Sequence, residues 1–248
     1  MLLFFGINAE KTFASDFSNE KLHYKVMYKW GLIHKQAGTA TLSLTNNGNK
    51  YDMLLTAASD PWADKFFMVR DTLIGSMYKS NMNPIVYKKM SHEGGDRKHD
   101  EVYYTISGNS VVGKCTRKKW DKKGKLTINE ARTLTAEGKT LDMLSSFYFM
   151  RNLPYSTWKP GETVSINLFS GKRKEILTIK YKGVETIEID GKSHRTYHIT
   201  FRFYDPTKSK KETDAPMDAW LSTDSRCVPL KLEGQLTVGK VQCFYTGG

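Results

Sequence analysis

"LHYKVMYKW", residues 22–30, decides the fold. Leu22, Tyr24, Val26, Tyr28 and Trp30 alternate with His23, Lys25, Met27 and Lys29. A period of two is that of a strand with one face buried, whereas a helix would repeat its apolar positions every three or four residues. The same rhythm returns along the chain. Ala40, Leu42 and Leu44 alternate in "TATLSLT" (39–45), Val164, Ile166 and Leu168 in "VSINL" (164–168), and Tyr197, Ile199, Phe201 and Phe203 in "RTYHITFRF" (195–203). Between such runs lie "NNGN" (46–49), "KKGK" (122–125) and "IDGK" (189–192), whose Asn, Asp and Gly supply the positive φ of tight hairpins. Parallel strands would need a helical crossover each time, so these strands are antiparallel neighbours.

Two segments break the rhythm. "SDPWADKFFM" (59–68) carries Ser59 or Asp60 as a cap and Pro61 at the first turn of a helix. "TLDMLSSFYFMRNLP" (140–154) spaces Leu141, Leu144 and Tyr148 three and four residues apart before Pro154 ends it. The expected fold is therefore all-β: a large curved antiparallel sheet or open barrel of a dozen or so strands with two short helices. Residues 21–248 read as one domain, with a division into two sub-halves near 140–155.

With 248 residues, 39% apolar and 12% aromatic, the chain can build a core without disulfides or metals. Its formal charge of +12 suits nucleic acid, anionic lipid or acidic glycan equally. The lysines are spread over nearly every segment, with concentrations at "RKKWDKKGK" (117–125) and "KSKK" (208–211) around turn residues. That distribution reads as solvated hairpin tips, and no RNA-recognition, helix-turn-helix or zinc-finger pattern accompanies it. No apolar run is long enough for a transmembrane helix. "MLLFFGINAEKTF" (1–13), with Ala9 at a potential cleavage position, reads either as a signal-peptide remnant within a tail over residues 1–20, or as an apolar first strand.

Cys115, Cys227 and Cys243 are an odd number, and they are expected to be free thiols. A hairpin centred on Gln235 would set Cys227 opposite Cys243, but Cys227 falls on the charged parity with Lys231 and Glu233, and Cys243 on the apolar parity with Val241 and Tyr245.

Motifs for chemistry are sparse. "GNSVVGKCT" (108–116) approximates a phosphate-binding loop but runs into a strand and a turn rather than a helix. His194 and His198 share a strand face about 13 Å apart, too far for one metal ion, and on the polar parity that suits solvated histidines. "HEGGDRKHDE" (92–101) gathers His92, Glu93, Asp96, His99, Asp100 and Glu101 around a Gly-Gly turn and reads as a hairpin with charged flanks. Ser222 and Asp224 in "WLSTDSRC" (220–227) shape a turn between two strands. No catalytic residue, metal site or cofactor is assigned.

Together "DMLSSFYFMR" (142–151), "WLSTDSRCVPLKLEG" (220–234), "MNPIVYKKMSHEGG" (82–95) and "LHYKVMYKWGLIHKQAGTATL" (22–42) resemble the signature of a family of exported bacterial proteins known as a domain of unknown function, DUF3108-like, over Leu22 to the end. The resemblance implies an exported protein of the periplasm or outer envelope of a Gram-negative bacterium, built on a large antiparallel sheet, and brings no catalytic residues. A fainter similarity is to periplasmic lipoprotein carriers, whose half-open barrel holds acyl chains.

Two function classes follow. The first is a non-enzymatic, monomeric binding protein for an apolar or amphipathic ligand (lipid or glycan) or an envelope protein, with basic rims toward an anionic membrane surface. Its candidate ligand-binding residues are Arg151, Tyr148, Trp220, Tyr197 and Phe201. Each also has a scaffold reading: Arg151, on the helix face of Tyr148 and Leu144, would pair with Asp142 or a strand carboxylate, and Trp220 would be core. The second class is a hydrolase of envelope glycan or lipid using carboxylates of 92–101, or Asp142 with Arg151. A nucleic-acid binder is third and is not expected.

Overall fold

The computed structural model describes residues 17–207 and 215–248. The signal-remnant expectation for residues 1–16 and the basic run at 208–211 lie outside them.

The first half of the chain is a meander: β1 (Glu20–Trp30), β2 (Ile33–Asn47), β3 (Lys50–Ser59), helix α1 (Pro61–Phe67), β4 (Val69–Tyr78), β5 (Pro84–Glu93), β6 (Asp96–Ser107), β7 (Ser110–Trp120) and β8 (Leu126–Glu137). After β9 (Thr140–Leu141) and α2 (Met143–Arg151) come β10 (Thr163–Phe169), β11 (Lys174–Ile189), β12 (Lys192–Tyr204), β13 (Met217–Ser222), β14 (Pro229–Gln235) and β15 (Lys240–Gly247). These fifteen strands form one sheet, in the order β8 down to β1 and then β15 down to β9. The all-β expectation holds, with more strands than the alternation revealed. One pairing departs from it: β9 lies parallel to β10, Thr140 beside Asn167.

The turns are those the local chemistry asks for. Asp190 and Gly191 both take positive φ, 50° and 76°, in the β11–β12 hairpin. Ser222 donates to Asp224 at 2.7 Å, Asp224 accepts the Arg226 and Cys227 amides, and the Val228 amide donates back to Ser222 at 2.9 Å. The opposition of Cys227 to Cys243 does not occur. This turn holds Cys227 at φ 47°, outside β14, and the next hairpin turns later, so Leu232 faces Cys243. All three cysteines are free.

Because its two edge strands are consecutive in the chain, the sheet wraps round until its edges meet at Gly138 and is nearly closed. The Asn167 side chain donates to the Glu137 carbonyl at 2.8 Å, and Arg132 donates to the Lys172 carbonyl at 2.7 Å across the seam.

The interior of this tube is filled by α2. Leu144, Tyr148, Phe149 and Met150 are buried in one cluster with Leu42, Met53, Met77, Tyr87, Leu168 and Ile199. Gly75 lets the helix in: a Cβ there would stand 3.2 Å from Leu144 Cδ1. A helix inside a sheet has no water for its ends, so side chains must supply the partners. Asp142 Oδ1 accepts from the amides of Leu144 (2.7 Å) and Ser145 (2.9 Å), and Ser145 Oγ accepts from the Asp142 amide, a reciprocal capping box. Complete burial raises the Asp142 carboxyl to about 6 against these hydrogen bonds.

At the other end Arg151 pairs with Glu20 on β1, not with Asp142. Its Nη1 contacts Glu20 Oε1, Nη2 meets Oε2 at 3.1 Å, and Nη2 also donates to the Arg226 carbonyl at 3.0 Å. The guanidinium stands 5.0 Å from the Phe17 ring centre and 5.2 Å from that of Tyr148. One arginine thus joins the helix, the first strand and the β13–β14 turn.

Two predictions follow from these helix ends. Since the folded pKa of Asp142 is raised, its contribution to stability is fully present below the unfolded pKa and fades as pH rises through about 6. Asp142→Asn keeps the cap without the buried charge, so urea unfolding at pH 4 and pH 8 will show the variant gaining about 2–3 kcal/mol on the parent over that interval. Arg151→Met strands a buried carboxylate and will cost about 3–5 kcal/mol, whereas Arg151→Met combined with Glu20→Leu will recover most of it in the same assay.

Candidate functional site

The strands that run past α2 toward α1 leave a hollow. At this end of the barrel an apolar cavity of about 530 Å³ opens between β1, β2, β3, α1 and the β14–β15 hairpin. Its walls include Val26, Tyr28 and Trp30 from β1, Ala57 from β3, Trp62 and Phe66 from α1, and Val241 from β15. The strand residues continue the inward parity of Leu22 and Tyr24, but here the small residues Ala37, Gly38, Ala57, Ala58 and Ala63 leave the space unfilled. Alternation turns apolar groups inward, and small side chains stop them from meeting. Helix α1 lies over the opening: Trp62 donates to the Gln36 carbonyl, and Phe67 packs over Gly94, where a Cβ would come within 2.7 Å of its ring.

Beyond Val69 the inner wall changes character. Asp71 on β4, Lys89, Ser91 and Glu93 on β5, Lys98 and Asp100 on β6, and Arg117 on β7 share the face of the buried Tyr87 and Val102. They neutralise one another. Lys89 lies 3.5 Å from Asp71 and 3.2 Å from Glu93, Lys98 lies 2.9 Å from Glu93, and Arg117 lies 3.3 Å from Asp100. Burial raises the Asp71 carboxyl; for Glu93 burial acts the same way, but the Lys98 and Lys89 ammonium groups outweigh it and hold that carboxyl low. Asp71 Oδ1, Ser91 Oγ and Tyr87 OH are buried with no hydrogen-bond partner among the described residues. This wall adjoins the cavity directly, since Asp71 pairs with Ala57 and Glu93 with Val69. The interior at this end is therefore amphipathic, with an apolar sector beside a charge-balanced one that has hydrogen-bonding capacity to spare.

None of the five residues singled out from the sequence lines the cavity. Tyr148 and Arg151 lie in and below the central core, and Phe201 is part of the same core. Tyr197 belongs to an aromatic cluster at the opposite end, 5.5 Å from Tyr155 and 6.2 Å from Tyr181 between ring centres.

Trp220 is buried, but on the outer face and outside the two interior clusters, stacked on His198 at 4.7 Å, with the Lys231 ammonium 4.0 Å from its ring centre and its Nε1 donating to Glu185. Its neighbours Ala219 and Leu221 take the interior positions, as alternation requires. Nor is His198 a solvated histidine: its ring nitrogens meet Glu185 at 2.9 Å and Asp218 at 2.8 Å, and only 19% of the side chain is exposed. Of the 92–101 hairpin, Glu93, Asp96 and Asp100 face inward, while His92, His99 and Glu101 face out.

The residues at the cavity mouth carried a signal in the sequence. Apolar side chains stand where hairpin tips are normally polar: Leu236 and Val238 in "QLTVGK" (235–240) and Phe66 and Phe67 at the end of α1 line the cavity, and Leu32 in "KWGLIHK" (29–35) stands outside it at the neighbouring tip.

Comparison with known proteins bears on fold and family. No curated protein matches the chain. The crystal structure of a beta-barrel-like protein of domain of unknown function DUF1849 from Brucella abortus shares the fold, with a TM-score of 0.61 at 8% identity over 93% of this chain and 96% of that one. Residues 23–244 match the model of the family described as "Protein of unknown function (DUF3108)", and the chain belongs to that family.

Proposed function

We propose that this protein is a non-enzymatic binding protein of the bacterial envelope that takes the apolar part of an amphipathic ligand into the cavity between β1–β3, α1 and β15. The observation that carries the reading is the hollow of about 530 Å³, open at one end and walled by aliphatic and aromatic side chains. Packed cores leave few voids, and an apolar pocket bordered by a few polar groups is the usual form of a small-molecule site. The adjoining polar wall supports an amphipathic ligand over a purely apolar one. The polar head can lie against Ser91 and Asp71 while the tail lies against Val26, Tyr28 and Val241.

The hydrolase alternative needs carboxyl groups free to exchange protons across a cleft. The ion pairing of Glu93 with two lysines and of Asp100 with Arg117 favours binding instead. Export to the periplasm or outer envelope belongs to the same proposal and rests on the apolar N-terminal run and the motif resemblance. A tagged chain expressed from its full gene will fractionate with the periplasm or envelope; a cytosolic result would remove that element.

Ligand binding is testable with cis-parinaric acid, whose fluorescence rises in an apolar site. The purified protein will bind it saturably, and palmitate will displace it. Ala57→Phe, which fills the cavity from β3, will weaken binding about tenfold or more, a loss of about 1.4 kcal/mol, with the melting temperature kept. Equal binding by the two proteins would place the probe elsewhere.

A further inference from the structure

We infer that the open end of the barrel docks on an anionic lipid bilayer, with the tips of the β1–β2 turn, α1 and the β14–β15 turn entering the headgroup region. The strongest exposure of large apolar side chains is gathered there. Leu32 is fully exposed, Phe66 is 82% exposed, Phe67 57%, Trp30 54%, and Leu236 and Val238 50% each. All but Leu32 also line the cavity mouth, so the three tips surround one opening. Other exposed apolar residues stand apart from this end: Leu54 and Ile74 are cross-strand partners on the outer face of β3 and β4, and Val184 lies opposite Tyr197. A concentrated apolar ring of this kind marks an interaction surface.

Charge selects the partner. Lys29 and Lys35 flank the β1–β2 tip and Lys65 lies on α1 beside Phe66, while Lys240 at the β14–β15 turn is paired with Glu233 at 2.6 Å. The Lys35 ammonium stands over the Trp62 ring, 4.6 Å from its centre. Apolar tips set in a basic rim complement an anionic headgroup layer over acyl chains. A second copy of the chain complements them poorly, because a two-fold dimer through this end would press one lysine rim against the other. The docking stands on these tip residues and does not depend on the ligand reading. If both hold, the cavity opens toward the bilayer.

The test uses the full chain and extruded vesicles of phosphatidylcholine alone or mixed with phosphatidylglycerol, read by co-sedimentation. Since Leu2–Ile7 is itself apolar, the comparison with Leu32→Glu in the same full chain is the deciding one. The parent will bind phosphatidylglycerol vesicles in preference, more weakly as salt rises, and Leu32→Glu will lower the partition coefficient about tenfold or more with an unchanged melting temperature. Lys29→Glu with Lys35→Glu will abolish the preference for anionic lipid. Leu32→Glu will retain cis-parinaric acid binding in solution, and Ala57→Phe will retain vesicle binding, so the docking and ligand proposals fail separately. Equal vesicle binding by parent and Leu32→Glu would overturn the docking. So would lipid-free dimerisation that Leu32→Glu abolishes, which would make the occupant a second copy.

Discussion

The constraint on which the rest depends is the placing of a polar-ended helix inside a sheet. A sheet this wide curls, and its inner face must be filled. Helix α2 fills it, but burial removes water from both helix ends. Asp142 with Ser145 satisfies one end, and Arg151 with Glu20 occupies the other. These bonds also fix topology. Arg151 reaches the first strand and the β13–β14 turn together, so the helix can lie only where the two chain-terminal strands, β1 and β15, pair near the middle of the sheet. A buried ion pair is a weak source of net stability but a strict one of geometry, and here it sets the depth to which the helix enters.

That depth divides the interior. From Leu144 to Tyr148 the helix meets large side chains from every quarter of the sheet, and the space is packed. The helix is only nine residues long, while β2, β11 and β12 are longer and continue past it. Inward-facing positions beyond the helix therefore have no central partner. The chain treats that surplus wall in two ways: on β1–β3 and β15 it stays apolar and is roofed by α1, and on β4–β7 it becomes ionic, with each charge answered by a neighbour. The cavity is a consequence of a short plug in a long tube.

The strand architecture was legible because the period-two signal is local and each hairpin carries its own turn chemistry, as Asp190-Gly191 does. The two helices were legible for the same reason, through Pro61 and through the three- and four-residue spacing of Leu141, Leu144 and Tyr148, although the Asp142 cap was not. Facts about pairs distant in the chain were not. Arg151 was expected to be buried and paired, but Glu20 lies 131 residues away and no local pattern names it. Trp220 was expected to be buried and is, but its cross-strand partners His198 and Lys231 place it on the outer face. Tyr197 and Phe201 were singled out because aromatic stripes attract attention, yet such stripes mostly build cores, as here.

The cavity went unread because it arises from what is small. Alternation identifies which strand residues point inward, and Ala57 satisfies that pattern as fully as leucine would, but the pattern is silent on whether facing walls touch. What the sequence does carry is the complement of that hollow. Leu32, Phe66, Leu236 and Val238 break the rule that turns are polar, and three breaches far apart in the chain converge on one rim. A solitary apolar tip costs a soluble protein little and means little. Three tips around an opening retain a solubility cost that nothing among the described residues offsets, since none of these side chains packs into the core clusters. The proposed bilayer offsets it, and the lysines beside the tips, Lys29, Lys35 and Lys65, set the sign of the charge that suits it.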